Sequence, residues 1–199
     1  MKNDTKDAVF RETAKRLNAL AKGDDASIRA RLAELRHGIG KMPGEEPALW
    51  GMVFEDLPDY MLGRYGKPSK EEWSIYIALT LYALHQQGND LSSKNMNSIG
   101  ISLGKAASRL VYLEGGTDDD RERVSKRFNQ IALAVDIDSL YYYLRTFIPL
   151  LRDDDIGLDY AMLAQDIYWY QTVSGQASVR LKWGQDYYSV EKDNEEIEK

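Results

Sequence analysis

Cysteine is absent from all 199 residues, and that absence removes disulfides, thiolate catalysis and cysteine-held zinc or iron–sulfur centres together. A chain with no thiol to pair or protect fits a reducing compartment, and the cytoplasm is the expected location. Proline is scarce, at 5 residues, and β-branched runs are nearly missing, while Leu, Ala, Glu, Arg and Tyr are plentiful. This composition predicts an all-α protein, an elongated helical bundle of roughly nine helices. The start MKNDTKDAVF has no apolar core before an amphipathic pattern sets in, so no signal peptide is expected. With 43% hydrophobic residues the chain can bury a real core.

The net charge of −6 and the pI near 5.1 ordinarily count against nucleic-acid binding. The charge is unevenly spread. Residues 191–199 carry a net −3, half of the total, and read as a solvated, disordered acidic tail. Residues 27–41 carry Arg29, Arg31, Arg36 and Lys41 against Glu34 alone. The expected organisation is one helical domain over 1–190, with 89–117 as the place where two sub-bundles would divide.

The most apolar stretch is 71–88, EEWSIYIALTLYALHQQG. Its apolar residues occupy nearly every angle of a 3.6-residue helix, which marks a buried central helix rather than a surface one. It is short for a membrane span and is interrupted by Thr80 and Tyr82. Ser69 with Glu72 has the form of a capping box, and Gly88 stands where a helix end favours a left-handed residue. Around this hub, helices are expected over 4–21, over 26–37, and near 47–57. After a polar linker at 89–97, one is expected over 98–113 despite Gly100 and Gly104. Asp118–Asp120 open a further helix where its dipole favours anions. Helices over 136–151 and 156–171 follow, the second preceded by Asp153–Asp155, and a last one lies beyond Gly175.

Several stretches imitate catalytic motifs. Gly100-Ile101-Ser102-Leu103-Gly104 matches G-x-S-x-G, yet a hydrolase elbow needs a strand before it and a histidine after it. Here polar linker precedes it, and both histidines, His37 and His85, lie upstream. Residues 100–105 also imitate a phosphate-binding loop, one residue short and with Ala106 in place of the magnesium-binding hydroxyl. Asp153, Asp155, Gly157 and Asp159 resemble a calcium loop with a misplaced glycine and no closing carboxylate. His85 is expected as a hydrogen-bonded core residue and His37 as a helix-end surface residue. The reading is of no catalytic residue, no metal, no cofactor and no small-molecule substrate.

Basic residues are the constellation that remains. Arg123, Lys126 and Arg127 fall at i, i+3 and i+4 and share one helix face. Lys105 and Arg109 do the same one helix earlier, Arg31 and Lys41 flank Arg36 around the first Gly/Pro loop, and Arg145 sits among aromatics. Each alone fits an exposed ion pair of small worth. As a set they fit a track for phosphates, which arginine and lysine contact point by point. The Tyr141–Tyr143 and Tyr168–Tyr170 clusters fit either base stacking or core packing.

LRHGIGKMPGEEPALWGMVF (35–54), ALTLYALHQQG (78–88) and SIGISLGKAASRL (98–110) occur in that order, followed by KRFNQIA, LYYYLRTFIPLLR and IGLDYAMLAQDIYWYQ. This series resembles the CasB family, the small subunit of the type I-E CRISPR surveillance complex Cascade, over roughly residues 26–188. The resemblance implies a non-enzymatic helical subunit present as a pair, so that a second copy of itself is one partner. The backbone and large subunits of Cascade would be others. Guide RNA and target DNA would be its nucleic-acid partners, with no membrane involved. Its basic surfaces would steady the guide–target heteroduplex and the displaced strand. Lys105, Lys126, Arg127 and Arg145 fall on family positions that are usually basic, with Arg36, Lys41, Arg109 and Arg123 as neighbours. The first loop of the family tends to carry consecutive basic residues, and Arg36 and His37 stand there, one fixed charge fewer. The rival reading is a protein-only helical adaptor whose arginines make ordinary ion pairs.

Overall fold

In the computed structural model the backbone is described for residues 2–112 and 117–197, and side chains for 7–112 and 117–189. Among these residues the chain forms nine α-helices and no sheet. They are α1 (Lys2–Leu20), α2 (Asp25–His37), α3 (Trp50–Phe54), α4 (Lys70–His85), α5 (Leu103–Val111), α6 (Asp118–Ala132), α7 (Ile137–Asp153), α8 (Tyr160–Tyr170) and α9 (Val173–Ile197). Single 3-10 turns at Pro47–Leu49 and Asp59–Met61 bracket α3. The fold class is therefore all-α, as the composition implies.

The apolar stretch becomes α4, and α1, α2, α7 and α8 pack around it. Its start is set by Ser69, whose Oγ accepts from the Glu72 N–H at 2.9 Å while Glu72 Oε2 accepts from the Ser69 N–H at 2.6 Å. Such a cap is worth about 1 kcal/mol. Gly88 follows the helix with φ +85° and turns the chain away. Twelve of the sixteen residues of α4 are buried. Ile75, Ile77, Leu79 and Leu81 are fully covered, each stabilising the fold by roughly 1.5–3 kcal/mol.

Four polar side chains that α4 takes inside each reach a different neighbour, while His85 Nε2 is left without a partner among the described residues. Tyr76 donates to the Gly38 carbonyl at the end of α2 at 2.8 Å. Thr80 Oγ1 lies 2.7 Å from the Tyr141 hydroxyl of α7. Tyr82 donates to Asn95 Oδ1 of the following loop at 3.1 Å. His85 Nδ1 lies 2.8 Å from the Tyr160 hydroxyl of α8, which makes it the hydrogen-bonded core histidine expected. Gln86 closes the loop behind the helix, donating to the Asn89 and Lys94 carbonyls and accepting from the Met96 N–H.

In the second half α5 lies against α9, where a Cβ on Gly104 would come within 2.3 Å of the Trp183 carbonyl oxygen. Asp166 of α8, buried, accepts from Lys182 Nζ at 2.8 Å and from Trp183 Nε1 at 2.9 Å and so clamps α9 in place. Buried apolar residues from Ala8 to Tyr187 form one cluster.

The structure departs from the sequence expectations at four places, one being that α9 starts at Val173, so that Gly175 lies inside it and not ahead of it. Residues 98–102 are not helical: Gly100 has φ +83°, the Ser98 N–H donates to the Leu158 carbonyl, and the Gly100 N–H donates to Asp159 Oδ2. The helix starts only at Leu103, with Ser102 Oγ as its cap, accepting from the Lys105 N–H at 3.2 Å. Asp153–Asp155 do not open α8 but close α7. Asp155 takes φ +61°, and the Asp155 and Ile156 N–H groups bond back to the Arg152 and Leu151 carbonyls, a left-handed helix stop. Asp159 caps α8 instead, accepting from the Met162 N–H at 2.9 Å. Finally, α9 is continuous through Ile197, across most of the stretch 191–199 for which disorder is the expectation. Its side chains from 190 onward lie outside the described residues, as do residues 113–116 inside the proposed division at 89–117.

Burial lowers the His85 pKa from 6.5 to about 4, so the unfolded chain binds a proton that the folded one refuses. Stability is therefore full above pH 6.5 and falls as the pH drops towards 4. Urea unfolding should find the protein less stable at pH 5 than at pH 7, and His85→Gln should remove about 2 kcal/mol of that difference. Two glycines test the α5–α9 contact. Gly104→Ala should cost about 2 kcal/mol through its backbone clash. Gly184→Ala, on the open side of α9 with nothing within 4 Å, should gain about 0.5–1 kcal/mol in thermal or urea unfolding.

Candidate nucleic-acid interface

The eight basic residues singled out by the sequence fall into separate settings. On α6, the Thr117 cap and the three aspartates of the first turn set where the helix begins, and Arg123, Lys126 and Arg127 follow on one face. With Asp119, Glu122 and Gln130 they line a shallow depression of about 470 Å³. Two of the cations are matched: Arg123 pairs with Asp120 at 2.8 Å and Lys126 with Glu122 at 2.7 Å. The hydrogen bond from Lys126 holds the Glu122 carboxyl below its usual pKa. Arg127 has no ion pair with any described residue.

The second setting is a cleft of about 460 Å³ between the loop after α2 and the face of α7, lined by Lys41, Met42, Trp73, Tyr142 and Arg145 with the carboxylates Glu45 and Asp138. Two anchors hold its walls, the Tyr76 bond to Gly38 and the Thr80 bond to Tyr141. Gly40, at φ +81°, brings the loop so close that a Cβ there would lie 2.7 Å from Arg145 Nη1. The Arg145 guanidinium stands 5.4 Å from the centroid of the Tyr142 ring, in cation–π range. That ring is 54% exposed, whereas Tyr141 beside it is buried. Lys41 pairs with Glu46. The cleft thus places a guanidinium stacked over a half-exposed tyrosine ring, and the Glu46-paired ammonium of Lys41, around a space of about 460 Å³.

Lys105 and Arg109 lie on α5, half-buried and exposed respectively, and neither pairs with a described residue. Arg36 is elsewhere. Its Nη1 donates to the Ala83 carbonyl of α4 at 3.3 Å, and burial lowers its pKa. It ties two helices together and lines none of the cleft. The structure brings Lys41 and Arg145 together, and Arg123, Lys126 and Arg127 together, and it leaves Arg36 out of both groups.

Sequence reasoning missed Met42 and Trp73 as walls and the carboxylates that temper the charge. Asp138 was open to notice, since it stands two helical turns before Arg145 on α7. Trp73 was not, because a hub residue in the first turn reads as core until its neighbours are placed. Ser102, the residue of the esterase imitation, is a helix cap. Among the described residues no group of three or more His, Asp or Glu is placed to hold a metal ion, and no helix is long and apolar enough to cross a membrane.

The family model for CRISPR-associated protein Cse2 matches residues 31–188. Among solved structures the chain is similar to CasB from Thermobifida fusca, with 35% identity, 91% of this chain and 98% of that one covered, and a TM-score of 0.73. A chain of a CRISPR RNA-guided surveillance complex matches with 18% identity, coverage of 96% and 99%, and a TM-score of 0.70. CasB from M. ruber matches with 20% identity, coverage of 95% and 97%, and a TM-score of 0.67. At these two lower identities the likeness concerns the fold. The comparison with curated proteins found no match.

The ion pairs on α6 predict the direction of two substitutions. Glu122→Gln frees Lys126 and should tighten binding of a single-stranded oligonucleotide about twofold at low salt, read by fluorescence anisotropy. Arg36→Ala should leave that binding unchanged and lower stability by about 1 kcal/mol, read by urea unfolding.

Proposed function

The chain belongs to the CRISPR-associated Cse2 family, also called CasB, and we propose that it is the non-catalytic small subunit of a type I-E Cascade complex. In this reading two copies lie beside the backbone and large subunits in the cytoplasm, and their basic surfaces steady the guide RNA–target DNA heteroduplex and the displaced strand. The observation that carries the reading is the cleft in which Arg145 stands against the open Tyr142 ring with Lys41 opposite. Phosphate and base are the two chemistries such a pair of groups accepts, and neither contact reads sequence.

That is the physics such a subunit requires. Guide pairing supplies specificity, and opening the target duplex is nearly balanced in energy, so a few backbone contacts per subunit are enough to tip it. A net charge of −6 does not oppose this, because an assembly that already holds the nucleic acid raises its effective concentration at a weak site. Lys105, Arg109, Arg123, Lys126 and Arg127 would add phosphate contacts.

The carboxylates threaded through the α6 face favour a second reading, an adaptor that binds protein alone, since Asp120 and Glu122 already occupy two of its cations. The two readings part in one experiment. Target-DNA binding by the reconstituted complex is measured over a salt series with wild-type subunit, without it, and with Lys126→Ala/Arg127→Ala. On the nucleic-acid reading the double variant binds more weakly, and its slope against log salt is shallower by about 1–2, one unit per lost phosphate contact. A complex that needs the subunit to assemble yet binds DNA equally well with the double variant and with Arg145→Ala supports the adaptor.

A further inference from the structure

The connector that leads into α4 contains a turn whose construction costs the fold stability and gives nothing back within the chain. Arg64 and Lys67 face each other as an isolated antiparallel bridge, with the Lys67 N–H donating to the Arg64 carbonyl at 3.1 Å. Tyr65 and Gly66 between them both have positive φ, +56° and +71°. A two-residue turn of this hand ordinarily takes Asn-Gly, because a bulky side chain is strained in the left-handed region. The other non-glycine residues at positive φ, Asp56 and Asp155, are of a type that tolerates it. Tyr65 is not, and its side chain recovers nothing by packing, being 98% exposed.

A second cost lies beside the first. Arg64 and Lys67 stand directly opposite one another, an arrangement in which like charges repel. Neither makes an ion pair with a described residue. Residues 59–72 hold three cations and three carboxylates, but Glu72 is taken up by the α4 cap, and neither Asp59 nor Glu71 pairs with Arg64 or Lys67. Tyr60, at the foot of the turn, is exposed as well.

The turn is also firmly mounted. A Cβ on Gly63 would lie 2.1 Å from the Lys67 carbonyl oxygen, so the two sides of its stalk touch. Ser69, which caps α4, donates its hydroxyl to the Met61 carbonyl at 2.5 Å, and Met61 is fully buried. A strained backbone that presents an exposed aromatic to solvent between two unpaired cations suits a stacking contact with a polyanion: the turn is set before binding, and the ligand relieves the charge repulsion.

We propose that the Arg64–Lys67 turn is a contact for single-stranded nucleic acid, with Tyr65 stacked on an unpaired base and Arg64 and Lys67 on the phosphates either side of it. It uses no residue of the cleft or of the α6 face and does not depend on the function proposed for them.

The test uses the full chain and a fluorescein-labelled oligothymidylate, read by anisotropy over a salt series, with thermal melting of each variant alongside. Tyr65→Asn should weaken binding about five- to tenfold while melting at or above the wild-type temperature, since asparagine suits the turn. Tyr65→Phe should bind as wild type, and Arg64→Gln/Lys67→Gln should bind weakly with a shallower salt slope. A 4-thiothymidine oligonucleotide should cross-link to the peptide containing Tyr65. Wild-type binding by Tyr65→Asn overturns the proposal. So does the result that Tyr65→Asn leaves oligonucleotide binding intact but weakens assembly with the other subunits, because the turn is then a protein contact. Lys126→Ala/Arg127→Ala, run in parallel, separates failure of this inference from failure of the function proposed above.

Discussion

A helix with apolar residues on every side has to be covered on every side, and the architecture follows from meeting that demand for α4. One neighbour covers only part of a helix surface, so α1, α2, α7 and α8 all pack against it. Hydrophobic burial is not directional, and by itself it would let those helices slide or rotate. The polar atoms that α4 carries into the interior remove that freedom. Tyr76, Thr80, Tyr82 and His85 each need a particular partner, and each finds it on a different element. A slip of any neighbour would leave a buried hydroxyl or imidazole unpaired, at a cost of roughly 1–3 kcal/mol.

The same bonds position the candidate interface. The bond from Tyr76 holds the end of α2, and hence the loop carrying Lys41. The bond from Thr80 to Tyr141 sets the rotation of α7, which turns Tyr142 outward and Arg145 towards the loop. Consecutive residues on a helix point about a hundred degrees apart, so burying Tyr141 decides the exposure of its neighbour. Core and site are in this sense one construction, the polar atoms of the first serving as alignment pins for the second.

Charge is handled locally. The chain is acidic overall, yet its cations are not uniformly neutralised: Arg123 and Lys126 have carboxylates one turn away, while Arg109 and Arg127 have none among the described residues. The paired cations gain little from pairing, since exposed salt bridges are weak and screened. They remain available to a phosphate that can exchange for a carboxylate at small cost. The Arg64–Lys67 turn is the opposite case, with charge left bare and backbone strain left in place.

Several features were legible in the sequence because they depend on neighbours along the chain. The all-α class, the hub with its Ser69–Glu72 cap, the opening of α6 by Asp118–Asp120, and the shared face of Arg123, Lys126 and Arg127 all follow from helical periodicity and capping chemistry. What the sequence misled on was set by distant segments. Residues 98–102 have a passable helical pattern but bond to Leu158 and Asp159 instead, and that long-range pairing overrides local propensity. Asp153–Asp155 look like a helix start, but a hydrogen bond from Ile156 back to Leu151 makes them a helix end. Arg36, beside the Gly/Pro loop, and Arg145, among aromatics, both belong in the sequence to one candidate phosphate track. Only packing made the first a strut between α2 and α4 and the second a wall of a cleft. The sequence by itself determined the all-α class, the buried hub and which cations share a helix, because those depend on a repeat of 3.6 residues. Which cations meet across helices, and which tyrosine faces solvent, was decided by the tertiary structure, because helix rotation is set by buried hydrogen bonds between residues far apart in the chain.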